Sequence, residues 1–499
     1  MAATPQRWQF QEETLENGLR IITMEDHRTP LVNLQVWYHV GSKDENPERQ
    51  GFAHMFEHMM FRGTDRIGPQ DHFKHLQRYG ARVNGYTSFD MTVYWETLPA
   101  SQLDRAMWLE AERLANLKIN EDYFAAEREV VKEERRMRYL NKPYGRLYET
   151  LFRSAFREHP YRWTPIGNMP HLDAATVDEL REFFNTYYVP NNATLVVVGD
   201  VTHEQVVARA REYFGPIPRK PDPPRVTIKE PPLNGPHRVE ITDIAPSPMI
   251  VHAYHAPSAK EREDLALDVL RRILSSGQSS RLYRHLVQGR EIAVSVNSNN
   301  SSFEDHGLYY FQVTLKPGVS IEDGEKALLA EVEELLDKGI DEKELEKARN
   351  QAVAEIVRTG ETVQGRADQL GYAAVILGDP DRVNTDLEYK RTVTADEIMR
   401  VARQVFRPEN RVELIIRPGE KPVAEQTEDK ARKAEKIESL PPPPEMPAGR
   451  PPQLIDLPQP IERRLANGMR VMVFPDASTK SVTVTWNTLV GAKDDPPEQ

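Results

Sequence analysis

The chain has 499 residues, a formal net charge of -12 and no cysteine, with 39% hydrophobic and 28% charged residues. That length allows about three ordinary domains, the composition is that of a soluble globular protein, and no apolar run approaches the ~18 residues of a membrane span. The acidic balance, without clusters of Lys/Arg and interleaved aromatics, excludes a typical nucleic-acid partner, and any metal must be held by His, Asp or Glu. The N-terminus, MAATPQRWQFQEETLENG, has no basic start or apolar stretch, so a cytoplasmic protein is expected, or a periplasmic one if a leader has been removed.

The first long segment, LENGLRIITMEDHRTPLVNLQVWYHVGSKDENPERQ (15–50), recurs as LANGMRVMVFPDASTKSVTVTWNTLVGAKDDPPEQ (465–499) at a constant offset of 450. Asn17 pairs with Asn467, Gly18 with Gly468, Gly41 with Gly491 and Pro47 with Pro497. The second copy stops just before the counterpart of residues 54–58. The expectation is a chain a little past half of a longer two-part protein, with 461–499 as the truncated start of its second half.

Residues 47–61 follow and read as a helix, with Asn46 as cap, Pro47 in the first turn and Gly63 past the end. Within it GFAHMFEHMMF places His54 and His58 at i and i+4 on one face and Glu57 toward the same side. Two imidazoles one turn apart suit a zinc ion, and a carboxylate beside them that does not ligate can take a proton from water. This is the H-x-x-E-H signature. Met55, Met59 and Met60 are expected to pack the core. In DHFKHLQRYG (71–80), His72 and His75 lie at i and i+3 with no acidic ligand in register, so a surface helix is expected; His159 and His171 lie among loop signals and read as structural.

The stretch 102–139 reads as long and helical. Most charges in FAAEREVVKEERRMR (124–138) belong to a solvated face, including Arg128, Lys132 and Arg135, but Glu127 and Glu134 are two turns apart on the stripe of Val130 and Val131. A buried carboxylate needs a partner, and a metal is one. Glu134 is therefore the third ligand expected, ahead of Glu133, which is rotated about 100° from that stripe. Glu127 is left near the catalytic group, to accept a hydrogen bond from a ligand or from substrate.

A fainter repeat runs through TVDELREFFNTYYVPNNATLVVVGD (176–200) and TADEIMRVARQVFRPENRVELIIRPGE (394–420) at offset 218, and another links 119–134 to 340–356 at offset 221. Short β-branched runs alternate with charged helical stretches, which gives an α+β fold: two homologous domains, each a mostly antiparallel sheet covered by helices. The expected division is 1–220, a zinc-binding domain; 226–424, a homologous domain without a metal site; 425–460, a charged and proline-rich linker; and 461–499. The proline-rich FGPIPRKPDPPRV (214–226) marks the first boundary.

These residues resemble the pitrilysin and insulinase group of inverted-zincin metallopeptidases, especially the bacterial relatives of the mitochondrial processing peptidase. The carriers are H-x-x-E-H at 54–58, Glu134 after 75 intervening residues, Glu127 seven positions before it, and the stretches RVNGYTSFDMTVYWETLP (82–99), HPYRWTPIGN (159–168) and GQSSRLYRHL (277–286). The resemblance implies a clamshell of two halves closing over an extended peptide, with Asn84 and Thr87 on the substrate-binding edge strand. It also implies an Arg and a Tyr that grip substrate, whereas aligning LVQGREIAVSV puts Val287 and Val294 in their places. The expected activity is that of a zinc (Zn2+) endopeptidase on flexible peptides or unfolded segments. The missing pair would come from an absent C-terminal half or a partner subunit. The alternatives are a non-catalytic assembly or scaffold subunit, and a processing peptidase specific for targeting sequences.

Overall fold

A computed structural model describes residues 7–419, 440–451, 459–475 and 481–490; much of the 425–460 linker and all of 491–499 lie outside the described residues. Two sheets organise the chain. The first contains β1 (Gln11–Thr14), β2 (Arg20–Glu25), β3 (Leu31–Tyr38), β4 (Arg82–Thr87), β5 (Thr92–Pro99) and β6 (Ala193–Gly199), in the order β1-β2-β6-β3-β5-β4. The second contains β7 (His237–Ile244), β8 (Met249–Ala256), β9 (Ala293–Ser301), β10 (Gly307–Leu315) and β11 (Arg411–Gly419), in the order β7-β11-β8-β10-β9. Each sheet is antiparallel apart from one parallel pair, β2 with β6 and β7 with β11. β6, ATLVVVG, is buried at every position and lies between β2 and β3, as a continuous apolar run requires. β4 is an edge.

The helices before β6 and β11 begin with the same device. Thr176 accepts from Glu179 N at 3.3 Å and its own N–H donates to Glu179 Oε2 at 2.9 Å; Thr394 and Glu397 repeat this at 3.2 and 2.9 Å. Asn192 and Asn410, each placed just before its strand, donate to the carbonyls of Tyr187 and Val405 at 2.8 and 2.9 Å.

Helices cover both faces of each sheet. On the first sheet, α1 (Phe52–Met59), α2 (Asp71–Gln77), α3 (Leu103–Asn116) and α4 (Glu121–Arg135) belong to one core, which also holds Met55, Met59 and Met60. The opposite face is covered by Val363–Val375, a helix from the second half of the fold. Conversely, Leu147–Ala155 from the first half packs on the outer face of the second sheet. The helical stretch expected over 102–139 is broken between Asn116 and Glu121 and ends in a π-helical turn, Arg136–Leu140. Arg135, expected on a solvated face, is buried and pairs with Glu149 at 2.8 Å.

The proline-rich segment 440–451 is anchored. Arg105 Nε donates to the Pro447 carbonyl at 3.0 Å, Gln102 Nε2 to that of Arg450 at 2.7 Å, and Met446 is buried in the first core. Beyond it, among the described residues, β12 (Ile461–Arg464) and β13 (Arg470–Val473) pair only with each other. Val482, Val484 and Trp486 are 88%, 87% and 73% exposed, whereas their counterparts Val32, Leu34 and Val36 are completely buried. Among the described residues no helix is long and apolar enough to cross a membrane.

Candidate metal centre and peptide edge

The helix carrying the two histidines is shorter than 47–61. α1 starts at Phe52 after Gly51, whose φ of 98° is left-handed and favours glycine. Asn46 does not cap it: its side chain accepts from Glu48 N at 2.9 Å, in a turn. The buried Glu45 carboxylate takes that place, accepting from Gly51 N and Ala53 N at 2.9 Å each. Anchored this way, one face of α1 meets α4.

There His54, His58 and Glu134 offer ligand atoms that all lie within 4.8 Å of one another. Glu134 Oε2 is 3.4 Å from His58 Nε2 and 3.7 Å from His54 Nε2. Glu133 is exposed and pairs with Arg136 at 3.0 Å, away from the histidines. Glu127 is buried and stands behind His58, with its Oε2 3.1 Å from Nδ1, and its Oε1 is held by Arg62. A carboxylate on Nδ1 orients the ring and leaves Nε2 facing Glu134, the arrangement that commonly supports a metal-binding histidine. The other oxygen of Glu134 is bound by Arg138 at 2.8 Å.

Electrostatics follow from this packing. Burial, then the charge of His58, pushes the His54 imidazole down to about 4. Burial alone would also lower His58, but its hydrogen bonds to Glu127 and Glu134 outweigh it and hold it at about 9. The hydrogen bond from His58 is the first cause that holds Glu134 below the ordinary carboxylate range. Two imidazoles and a carboxylate, one imidazole neutral and with its Nδ1 buried and unpartnered, form a donor set that fits zinc.

Glu57 lies on the β4 side of α1. Burial raises its carboxyl, and Thr87 Oγ1 donates to its Oε2 at 2.7 Å. β4 passes close by: a Cβ on Gly85 would meet the Tyr94 ring at 3.1 Å and Glu57 Cγ at 3.4 Å. Gly85 and Thr87 thus face α1, and by strand alternation Asn84 points to the opposite side of the sheet. Val287 is half-buried against the second core, and Val294 is 55% exposed on β9.

The expectation of a surface helix at His72 and His75 fails. His72 and His75 are buried, and His72 Nε2 lies 3.3 Å from Glu96 and 3.6 Å from Glu110, carboxylates brought in by β5 and α3 rather than by register along their own helix. His54, His58 and Glu134 are therefore not alone in having ligand spacing, and His285, Glu331 and Glu334 form a third set. Both additional sets already hold cations. Arg113 pairs with Glu110 and lies 3.8 Å from Glu96; Lys338 pairs with Glu334 at 2.7 Å and Arg290 with Glu331 at 3.4 Å. His159 is fully buried and accepts from Tyr161 N at 3.2 Å, and Asn168 Nδ2 lies 3.1 Å from His171 Nδ1, both structural positions.

Known proteins share this frame. Residues 20–166 match the family described as Insulinase (Peptidase family M16), and 174–352 match the Peptidase M16 inactive domain. The chain is 31% identical over 412 residues to the zinc protease PqqE of Helicobacter pylori, covering 81% of this chain and 92% of that protein. A crystal structure of a protease from Helicobacter pylori superposes with a TM-score of 0.80 at 29% identity, covering 83% of this chain and all of that one. The periplasmic protease PqqL from Escherichia coli shares the fold at a TM-score of 0.69 and 21% identity, and this chain covers 57% of it. With two M16 profiles in succession and a relative aligned over most of both lengths, the chain belongs to the insulinase, or pitrilysin, family of M16 peptidases.

Proposed function

We propose that this protein is a zinc-dependent endopeptidase that hydrolyses peptide bonds in flexible peptides or unfolded segments. One observation carries the reading: His54, His58 and Glu134 converge within 4.8 Å, with Glu57 beside them and under an edge strand. His54, His58 and Glu134 would hold the metal. Bound there, zinc supplies the Lewis acidity that acidifies a water and polarises the scissile carbonyl. Glu57 accepts the proton of the attacking water and returns it to the leaving amine. Thr87 fixes one oxygen of Glu57 and leaves the other for that transfer.

A peptide adds to β4 as a further strand, which fixes its backbone without reading much sequence. Asn84 then contributes through the strand backbone and the face opposite Glu57. Thr87, expected as a substrate contact, acts in this reading by holding the base. Val287 and Val294 can neither donate to a peptide carbonyl nor stabilise charge on it, so a second half carrying an Arg/Tyr pair, in cis or from a partner subunit, completes the substrate clamp.

Metal analysis and peptide hydrolysis test the proposal together. The chain should carry about one zinc and His58→Ala almost none, because one of three protein ligands is lost. Unchanged zinc in His58→Ala would place the ligands elsewhere.

A further inference from the structure

β4 has two faces, and the proposed chemistry uses one. Gly85 and Thr87 turn toward Glu57, whereas Tyr86 between them turns to the other face, where its ring meets Trp37 edge-on with centroids 6.4 Å apart. Behind that face lies a cavity of about 520 Å³ between the first sheet and the helices Arg262–Ser275, Val363–Val375 and Arg382–Thr392. Tyr86, Trp37 and Tyr372 contribute its aromatic wall.

The cations around this cavity already have partners. Lys390 and Arg271 bind Asp268 at 2.8 and 3.1 Å, Arg272 binds Glu355 at 2.5 Å, and Arg382 binds Asp386 at 2.5 Å. Asp264 is held by Asn300 and Ser302 at 2.7 and 2.5 Å. Asp368 differs. It accepts one neutral hydrogen bond, from Gln35 Nε2 at 2.7 Å, and among the described residues it has no ion pair. A partly buried carboxylate is costly without a counter-charge, and aromatic faces attract cations.

We propose that this cavity is the subsite for one basic side chain, lysine or arginine, of the peptide paired along β4, with Asp368 as its counter-charge and Tyr86 as its aromatic wall. The inference rests on the reading that β4 receives the peptide. Strand alternation then makes it specific: the residue opposite Gly85 points at the zinc helix, and its neighbour opposite Tyr86 points into the cavity. The preference for a basic residue should fall at one position at a fixed spacing from the cleaved bond, and not at the residues on either side.

Binding to the zinc-loaded Glu57→Gln chain, which holds peptide without cutting it, provides the test. A single lysine is walked along an otherwise uncharged peptide, with norleucine at the same position as the neutral comparison. At one position lysine should bind at least about tenfold more tightly than norleucine, and at the adjacent ones within about twofold. Asp368→Asn, which keeps an acceptor for Gln35, should bring the ratio at that position to about one, and Asp368→Glu should retain a preference. Tyr86→Leu should reduce the ratio severalfold and serves as an independent check if Asp368→Asn does not fold. If norleucine peptides bind and no position favours lysine, or the preference survives Asp368→Asn, the subsite is wrong and the peptide edge stands. If no peptide in the series binds, the reading of β4 fails and the subsite with it.

Discussion

The two sheets of this molecule are built to one plan and filled with different chemistry. β2, β6, β3, β5 and β4 of the first correspond in order and direction to β7, β11, β8, β10 and β9 of the second. At the sequence offset of 221, Ala348 takes the place of Glu127, and Glu355 that of Glu134. The second half therefore keeps a carboxylate on the corresponding helix. What faces it is Arg272, which binds Glu355 at 2.5 Å, from a helix whose Leu265, Leu267, Val269 and Leu270 are buried. A guanidinium has no lone pair to give a metal, whereas an imidazole in its neutral form has one. The frame supplies a slot between two helices; in the second half the residue facing the carboxylate makes an ion pair, and in the first the two imidazoles facing Glu134 make the slot the proposed metal site.

If that comparison is right, all hydrolysis runs through the first half, and the largest effect should come from Glu57→Gln. The amide is nearly isosteric and cannot take a proton, so zinc content and fold should persist while turnover falls about a thousandfold or more. Residual peptidase activity near the wild-type rate would show that Glu57 is not the base; loss of zinc would make it a ligand. Next in size is the contribution of the Arg/Tyr pair. Supplying a half that carries it should raise kcat/KM by at least about a hundredfold, since one positioned donor is worth roughly 3 kcal/mol in the transition state. Equal rates with and without it would mean that this chain holds its own clamp.

Parts of this comparison are visible in the amino-acid sequence because they are local. His54, Glu57 and His58 fall within one helical turn, and Glu127 and Glu134 mark one stripe of α4, so periodicity alone brings them to a face. The capping box at Thr176 and its copy at Thr394 are equally local. Other features come from chain crossings that periodicity does not encode. Glu45 caps α1 from before an intervening turn, His72 meets carboxylates from β5 and α3, and Asp368 reaches β3 through Gln35 from the helix Val363–Val375. Helix exchange between the sheets is of the same kind. Amphipathic patterning shows that a helix has a face to bury and not which sheet receives it.

A smaller effect sharpens the contrast between the proposed metal slot and the ion-pair slot. Glu127 holds His58 Nδ1 at 3.1 Å, whereas the second half has Ala348 in its place. Glu127→Gln keeps an acceptor but removes the charge behind the imidazole, and should weaken zinc binding by about 10- to 100-fold. Titration against a competing chelator measures this directly. Unaltered affinity would mean that Glu127 serves Arg62 alone and that the difference from Ala348 has no bearing on the metal.

The smallest effect concerns how firmly the two halves are joined. Asp26, at the end of β2, accepts from Arg28 Nε at 2.6 Å and also pairs with Arg366 on the helix that the second half lays over the first sheet. Burial would raise its carboxyl, but the Arg28 hydrogen bond and the Arg366 charge outweigh burial and hold it at about 2, below its ordinary 3.8. A depressed folded-state value means the carboxylate contributes its full stability above about pH 4 and loses it as the pH falls through about 2. The size is about 2 kcal/mol. Asp26→Asn should therefore lower unfolding stability by that amount near neutrality, and the difference from wild type should shrink as the pH falls from about 4 to about 2. Urea melts across that range, followed by a signal from each half, read both the size and the linkage. Because Arg366 ties one half to the other, a single transition should shift as a whole; two separate transitions, with only one displaced, would show that the halves fold independently and that the exchanged helices do not lock them together.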